Sequence, residues 1–333
     1  MTITEDRMDV TDARTAPTTG GPATAGGGPP RSRKPPKPPR RMPRPLPVYA
    51  PLSPGQALVR SVLALVAALV LAFVFHLLVV SHVEHFAAQQ QLSNSYRAQL
   101  AAGTAPVSEG DFDDVLLPDG APVAVLTIPQ LGVKEVVSEG TSSGVLNAGP
   151  GHRRDTVLPG QVGVSVVMGR AAAFGGPFAR LQSLQPGDQF EVRTGQGAST
   201  FEVMGLRYAG DPTPPAPVKG ESRLILMTAR GAPFVPVGVA YVDATLVGTA
   251  QPAGARQTTP VTLPPSDKPM ATDLTTVWAL VFALQFLVIA EIGAVWAFRR
   301  VGAQKTWIVF VPVLLLASLF AADQLTRLLP NLL

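Results

Sequence analysis

Cysteine is absent from this chain of 333 residues. No disulfide can form, and no reaction that runs through a thiolate can be carried by its own side chains. The absence also fits a protein exposed to an oxidising exterior that holds together without cross-links. Charge is sparse as well, at 15% of residues, and the mean hydropathy is positive. That balance points away from a large soluble protein and toward a membrane protein. The net charge of +4 is small. Most of the distinctive basic density lies before Val48, where it bears on membrane topology and not on nucleic acid.

What is present begins with a tail. Residues 1–56 are low in large apolar side chains and heavy in Pro, Gly, Thr and Ala, so they bury too little surface to offset their ordering entropy and are expected to be disordered and cytoplasmic. The tract from Arg31 to Arg44 has two readings: a polyproline or headgroup-binding motif, or a solvated stretch whose charges fix orientation. Residues 57–80 follow as an apolar run, interrupted only by Arg60, Ser61 and His76, that as a helix would be about 36 Å long and cross a bilayer. Residues 81–120 read as a membrane-proximal helix and an acidic linker. Within them His82 and His85 share a helix face as interfacial histidines, without enough ligands nearby for a metal.

Residues 121–250 are the β candidate: short β-branched runs separated by Gly, Pro and Asp turns. Phe174 and Phe178 are expected to plug the core beneath a loop. The run Asp211 to Val218, rich in proline, is expected to be an exposed, stiff connection. A Pro/Thr-rich linker covers 251–272. Two further spans are expected at 273–298 and 306–325, joined by a basic cytoplasmic loop at 299–305 and followed by a short tail at 326–333. Trp278 and Trp307 are placed like interfacial anchors. Gln285 and Glu291 interrupt the second span; a polar group at membrane depth usually faces a partner or a protein interior, and for Glu291 the readings are contact with another membrane helix, ion or proton traffic, or snorkelling to the interface.

A series of pieces in the β region resembles the sortase family, most closely the actinobacterial kind called class E. The pieces are Leu126-Thr-Ile-Pro-Gln-Leu-Gly-Val133, Glu139-Gly-Thr141, Gly149-Pro-Gly-His152, Leu158-Pro-Gly-Gln161, Phe174-Gly-Gly-Pro-Phe178, Leu184-Gln-Pro-Gly-Asp188 and Ala244-Thr-Leu-Val-Gly248. The resemblance implies a closed β-barrel, while the apolar runs supply three transmembrane helices, more than the family commonly has, and the basic segments place the barrel outside the membrane. It also implies a catalytic His, Cys and Arg at positions that here read Arg170, Ala229 and Val239. Val164 stands where the family usually has Asn. His152 belongs to a turn motif of the family and not to its catalytic histidine.

The physical reading agrees with the lost motif. Thr228 is the only nucleophile beside the missing thiol, and its natural base is replaced by Arg170, which stays protonated and accepts no proton. Three hypotheses follow. The chain is a catalytically inactive scaffold or binding subunit of a cell-envelope membrane complex, with a membrane protein or a second copy as partner. Alternatively, it binds sorting-signal-like cell-wall peptides without cutting them, at a site with Arg170, Thr228 and Arg230. The third is a rebuilt transpeptidase or hydrolase. The two arginines either place positive charge in a peptide groove or simply reach solvent. Neither metal nor other cofactor is expected. The expected location is the cytoplasmic membrane, multi-pass, and the Ala, Pro and Gly content suggests a high-GC Gram-positive source.

Overall fold

A computed structural model describes residues 53–333 apart from 111, 112 and 114. The basic proline tract of the first segment lies outside the described residues.

The chain enters on α1 (Pro54–Phe75), started by Ser53, whose hydroxyl accepts from the Gln56 N–H while the Gln56 side chain accepts from the Ser53 N–H. With Pro54 fixing φ at the first helical position, the start is well defined. Past the membrane boundary expected near Val80 the helix continues, as the composition of His82 to Ala102 suggests. It passes through a π segment (His76–Val80) and continues as α2 (Ser81–Ala102), ending at Gly103 in a left-handed conformation. The stretch Val59–Ala102 is long and apolar enough to cross a membrane.

Eight strands then close into a barrel: β1 (Pro122–Ile128), β2 (Val133–Glu139), β3 (Gly151–His152), β4 (Gly163–Met168), β5 (Gln189–Thr194), β6 (Gly197–Tyr208), β7 (Ser222–Ala232) and β8 (Val235–Val247). Their order around the barrel is β1-β2-β3-β4-β7-β8-β6-β5, with β5 pairing back onto β1. The β2–β3 and β4–β7 pairs are parallel and the others antiparallel. Inward residues such as Leu126, Val167, Phe190, Phe201, Leu224, Leu226 and Val242 make the core, and Phe178 joins them from the loop after β4. Alternation along β7 turns Ile225, Met227 and Ala229 to the opposite, outer face, as the period of two requires.

α2 is not a free stalk. Gln89 bridges two elements, donating to the carbonyls of Val136 and Ala148 and accepting from the Val136 N–H. His85 meets Glu135 at 2.9 Å, and the buried Tyr96 hydroxyl donates to the Val123 carbonyl at 2.9 Å. His82, on the same expected face as His85, is exposed instead. Gly175 packs so near the His85 ring that a Cβ there would stand 2.6 Å from it, and its φ of +76° is one that L-residues avoid.

The stretches expected as loose linkers are strapped down. Glu109, 2% exposed, accepts from the Thr258 N–H at 2.7 Å, and Arg256 pairs with it at 3.3 Å while donating to the Arg154 and Thr156 carbonyls. Asp267 is 2% exposed, and its carbonyl accepts from the Thr141 hydroxyl. Burial, with Asp119 nearby, pushes the Asp267 carboxyl above the usual range.

Two more apolar helices follow, α4 (Val277–Val301) and α5 (Ala303–Arg327), again long enough to cross a membrane. The loop expected at 299–305 is a correction: those residues are the ends of the two helices, and Gly302, at φ +94°, is the one residue between them. α5 packs on α4 and α1 through Ala283, Leu287, Ala317, Ala321 and Leu69.

Two outcomes are expected for the full chain in detergent. Gly175→Ala forces both a left-handed φ and the His85 clash, and should lower stability by about 1–3 kcal/mol in thermal unfolding. Asp267→Asn concerns a carboxyl whose folded pKa is raised, so the folded state binds the proton more tightly and stability falls as pH rises above the unfolded value. The variant should therefore melt above the parent at pH 7, with the gap closing as pH falls to about 4.

Candidate functional site

The three positions at which the resemblance places catalytic groups come together on the outer face of β4, β7 and β8. Ala229 and Val239 are register partners on β7 and β8. Arg170 follows the end of β4, where the Gly169 N–H donates to the Met227 carbonyl. Between them lies a segment that no local pattern places there. Leu332, fully buried, belongs to one apolar cluster with Ala229, Val239, Met227, Met168, Val166 and Leu146. The last three residues of the stretch expected as a tail, Asn331–Leu333, thus lie at the site.

Backbone and side chains hold that segment. The Ala171 N–H donates to the Leu332 carbonyl at 2.9 Å, and the Asn331 N–H to the Ala271 carbonyl at 2.9 Å. The Asn331 side chain donates to the carbonyls of Thr141 at 2.8 Å and Lys268 at 3.0 Å. The Thr141 and Asp267 straps therefore continue into the site.

Arg170 reaches neither solvent nor an open groove, which corrects both expectations for it. It is fully buried and donates to the Ser143 carbonyl at 3.2 Å, the Ser143 hydroxyl at 2.8 Å, the Asn147 side-chain oxygen at 2.7 Å and the Leu333 carbonyl at 3.3 Å. Ser143 and Asn147 lie on the short helix α3 (Ser143–Ala148), and the Phe174 ring stands 5.1 Å from the guanidinium. Burial pushes Arg170 down to about 9, still charged at neutral pH. A charged group so placed accepts no proton and serves as no base.

The other expected site residues are dispersed. Thr228 faces inward, and its buried hydroxyl donates to the Gly169 carbonyl at 2.9 Å. Arg230 is exposed and lies 4.1 Å over the Tyr208 ring. His152 is fully buried, with Nδ1 on Glu139 at 2.8 Å and Nε2 on the Val157 carbonyl at 2.8 Å, so it forms part of the frame. Within α4, Gln285 is exposed on the outside of the bundle and Glu291 is half-buried. Sequence reasoning missed Ser143, Asn147, Asn331 and Leu332. Only the polarity of Asn331 within an apolar ending was there as a signal.

No nucleophile, base and oxyanion donor stand together here. The arrangement can hold an extended segment, by backbone hydrogen bonds and one apolar side chain.

No curated protein matches the chain. Among solved structures it is similar to the Sortase D5 transpeptidase of Clostridium perfringens, at 18% identity, 49% of this chain, 99% of that chain and a TM-score of 0.40. It is also similar to sortase E of Streptomyces avermitilis, at 29% identity, 40% of this chain, 92% of that chain and a TM-score of 0.34. For Sortase E1 of Streptomyces coelicolor, solved with a tripeptide in its active site, the values are 22%, 39%, 91% and 0.35. The family model described as Sortase domain matches residues 126–234. The match to the sortase domain thus covers about a third of the chain, and the chain has no cysteine.

Proposed function

We propose that this protein is a catalytically inactive sortase-like subunit that acts as a scaffold or binding platform for a cell-envelope membrane complex. The observation that carries the reading is the filled site. Leu332 sits where Ala229 and Val239 replace reactive groups, and Arg170 is committed to holding Ser143, Asn147 and Leu333. On this reading the Gly302 end of the helices, with Arg299, Arg300 and Lys305, faces the cytoplasm together with the tail of residues 1–56, and the barrel stands outside. Phe282, Phe286 and Ile289 of α4 are exposed beside Gln285. They offer an apolar face with one polar group to a partner helix or a second copy.

A second reading has one observation in its favour. Since the site already holds Asn331–Leu333 by backbone hydrogen bonds, a sorting-signal-like peptide could occupy the same place once that segment leaves.

The cysteine-free chain makes a clean labelling test. Ala229→Cys in the full chain should react slowly with a maleimide and form no acyl intermediate with sorting-signal peptides. Adding Leu332→Asp, which is not tolerated in an apolar seat, should speed labelling more than tenfold; equal rates would remove the filled site. The same Leu332→Asp chain should bind such peptides more tightly than the parent if the second reading holds, and no binding by either chain would end it. For the scaffold reading, light crosslinking in native membranes followed by purification should recover a stoichiometric membrane partner or a homo-oligomer. Gln285→Ala and Glu291→Ala should weaken that recovery, and no change with either removes the part assigned to α4.

A further inference from the structure

Where the first helix changes pitch, one histidine is left unmet. His76 opens the π segment, is 1% exposed, and has no hydrogen-bond partner at either ring nitrogen. Folded proteins rarely keep a buried polar group in that condition without a ligand. π segments, moreover, cluster at functional sites because the extra residue re-aims side chains.

Two carboxylates converge on it. A ring nitrogen of His76, a carboxylate oxygen of Glu84 and one of Asp323 lie within 4.8 Å of one another. They come from three parts of the fold: the π segment, the first turn of α2 and the end of α5. Among the described residues no hydrogen bond or ion pair joins the three to each other. One oxygen of Asp323 is held by the Gln324 side chain at 2.8 Å and by Arg327 at 3.3 Å, which fixes the carboxylate and leaves its other oxygen uncommitted.

The geometry points to a divalent transition-metal site made by His76, Glu84 and Asp323, with zinc as the ion this donor set suits best. An imidazole nitrogen disfavours magnesium and calcium, which prefer all-oxygen shells, while two carboxylates offset a double positive charge. Donors this close reach a single ion at about 2.0–2.2 Å with small side-chain rotations. Arg327 and Gln324 act as the outer shell that orients Asp323. Glu84 is exposed, so the fourth position opens toward water. The ion would staple the first helix to the third at the barrel end of the bundle. It would lie beside the Phe174 loop, whose ring meets His76 edge-on at 6.3 Å. This inference does not depend on whether the barrel is a scaffold or a peptide binder.

The test uses the full chain in detergent, stripped with a chelator and then given zinc chloride. Bound metal is read by elemental analysis after gel filtration, and thermal unfolding is followed with and without zinc. One zinc per chain and a melting temperature raised by several degrees are expected. His76→Phe keeps a ring against Phe174, and Asp323→Asn keeps the shape; each should lower zinc affinity at least about tenfold. Glu84→Gln changes an exposed side chain with little risk to folding and should weaken binding likewise. The proposal is overturned if the parent retains no zinc at micromolar free ion, or if all three variants retain it. It is also overturned if His82→Ala abolishes binding, which would make an exposed histidine the ligand.

Discussion

A guanidinium taken wholly out of water is the constraint around which this molecule is arranged. Among the described residues no Asp or Glu side chain pairs with Arg170, and its charge is met by the oxygens of Ser143 and Asn147 on α3, by the main-chain oxygen of Leu333 and by the face of Phe174. Leaving a buried charge short of partners is strongly destabilising. The end of β4, the helix α3, the loop carrying Phe174 and the last residues of the chain are therefore bound to one another through a single side chain. The resemblance to sortases places a proton-handling histidine at this position. In this chain the position holds a group that keeps its proton and holds structure.

The face beside Arg170 is filled as well. Ala229 and Val239 leave an apolar face on the outside of the barrel, and Leu332 covers it. Asn331 then binds the carbonyls of Thr141 and Lys268, which draws in the segment running along from Glu109 and Arg256. Buried polar groups of this kind fix one arrangement among several that apolar packing alone would permit.

Much of the barrel was legible because strands announce themselves locally. The runs around Val166 and Leu226 are β-branched and apolar, end at glycine or charge, and sit between Pro and Gly turns. The absence of a thiol was legible for a simpler reason, since a missing cysteine needs no structure to be noticed. Other features depend on contacts across long stretches of chain, and periodicity is silent about those. Nothing near Arg170 says that its acceptors lie on Ser143 and Asn147, and nothing near Leu332 says that it belongs against Ala229. Arg299 to Lys305 looked like a loop because charge was taken for a break in the helix, whereas long basic side chains extend from helix ends into water without unwinding them. His76 read as an interruption of an apolar run, and its neighbour Asp323 is supplied by a different helix.

The first helix carries a mechanical consequence. From Pro54 to Ala102 it is continuous through its π segment, about 70 Å at 1.5 Å per residue, and Gln89, Tyr96 and His85 fasten its upper half along the barrel wall. A domain on a flexible tether sweeps a volume and finds its targets by wandering. This one is mounted on a rod, at a height and azimuth set by the helix that precedes it, so it sweeps almost no volume of its own.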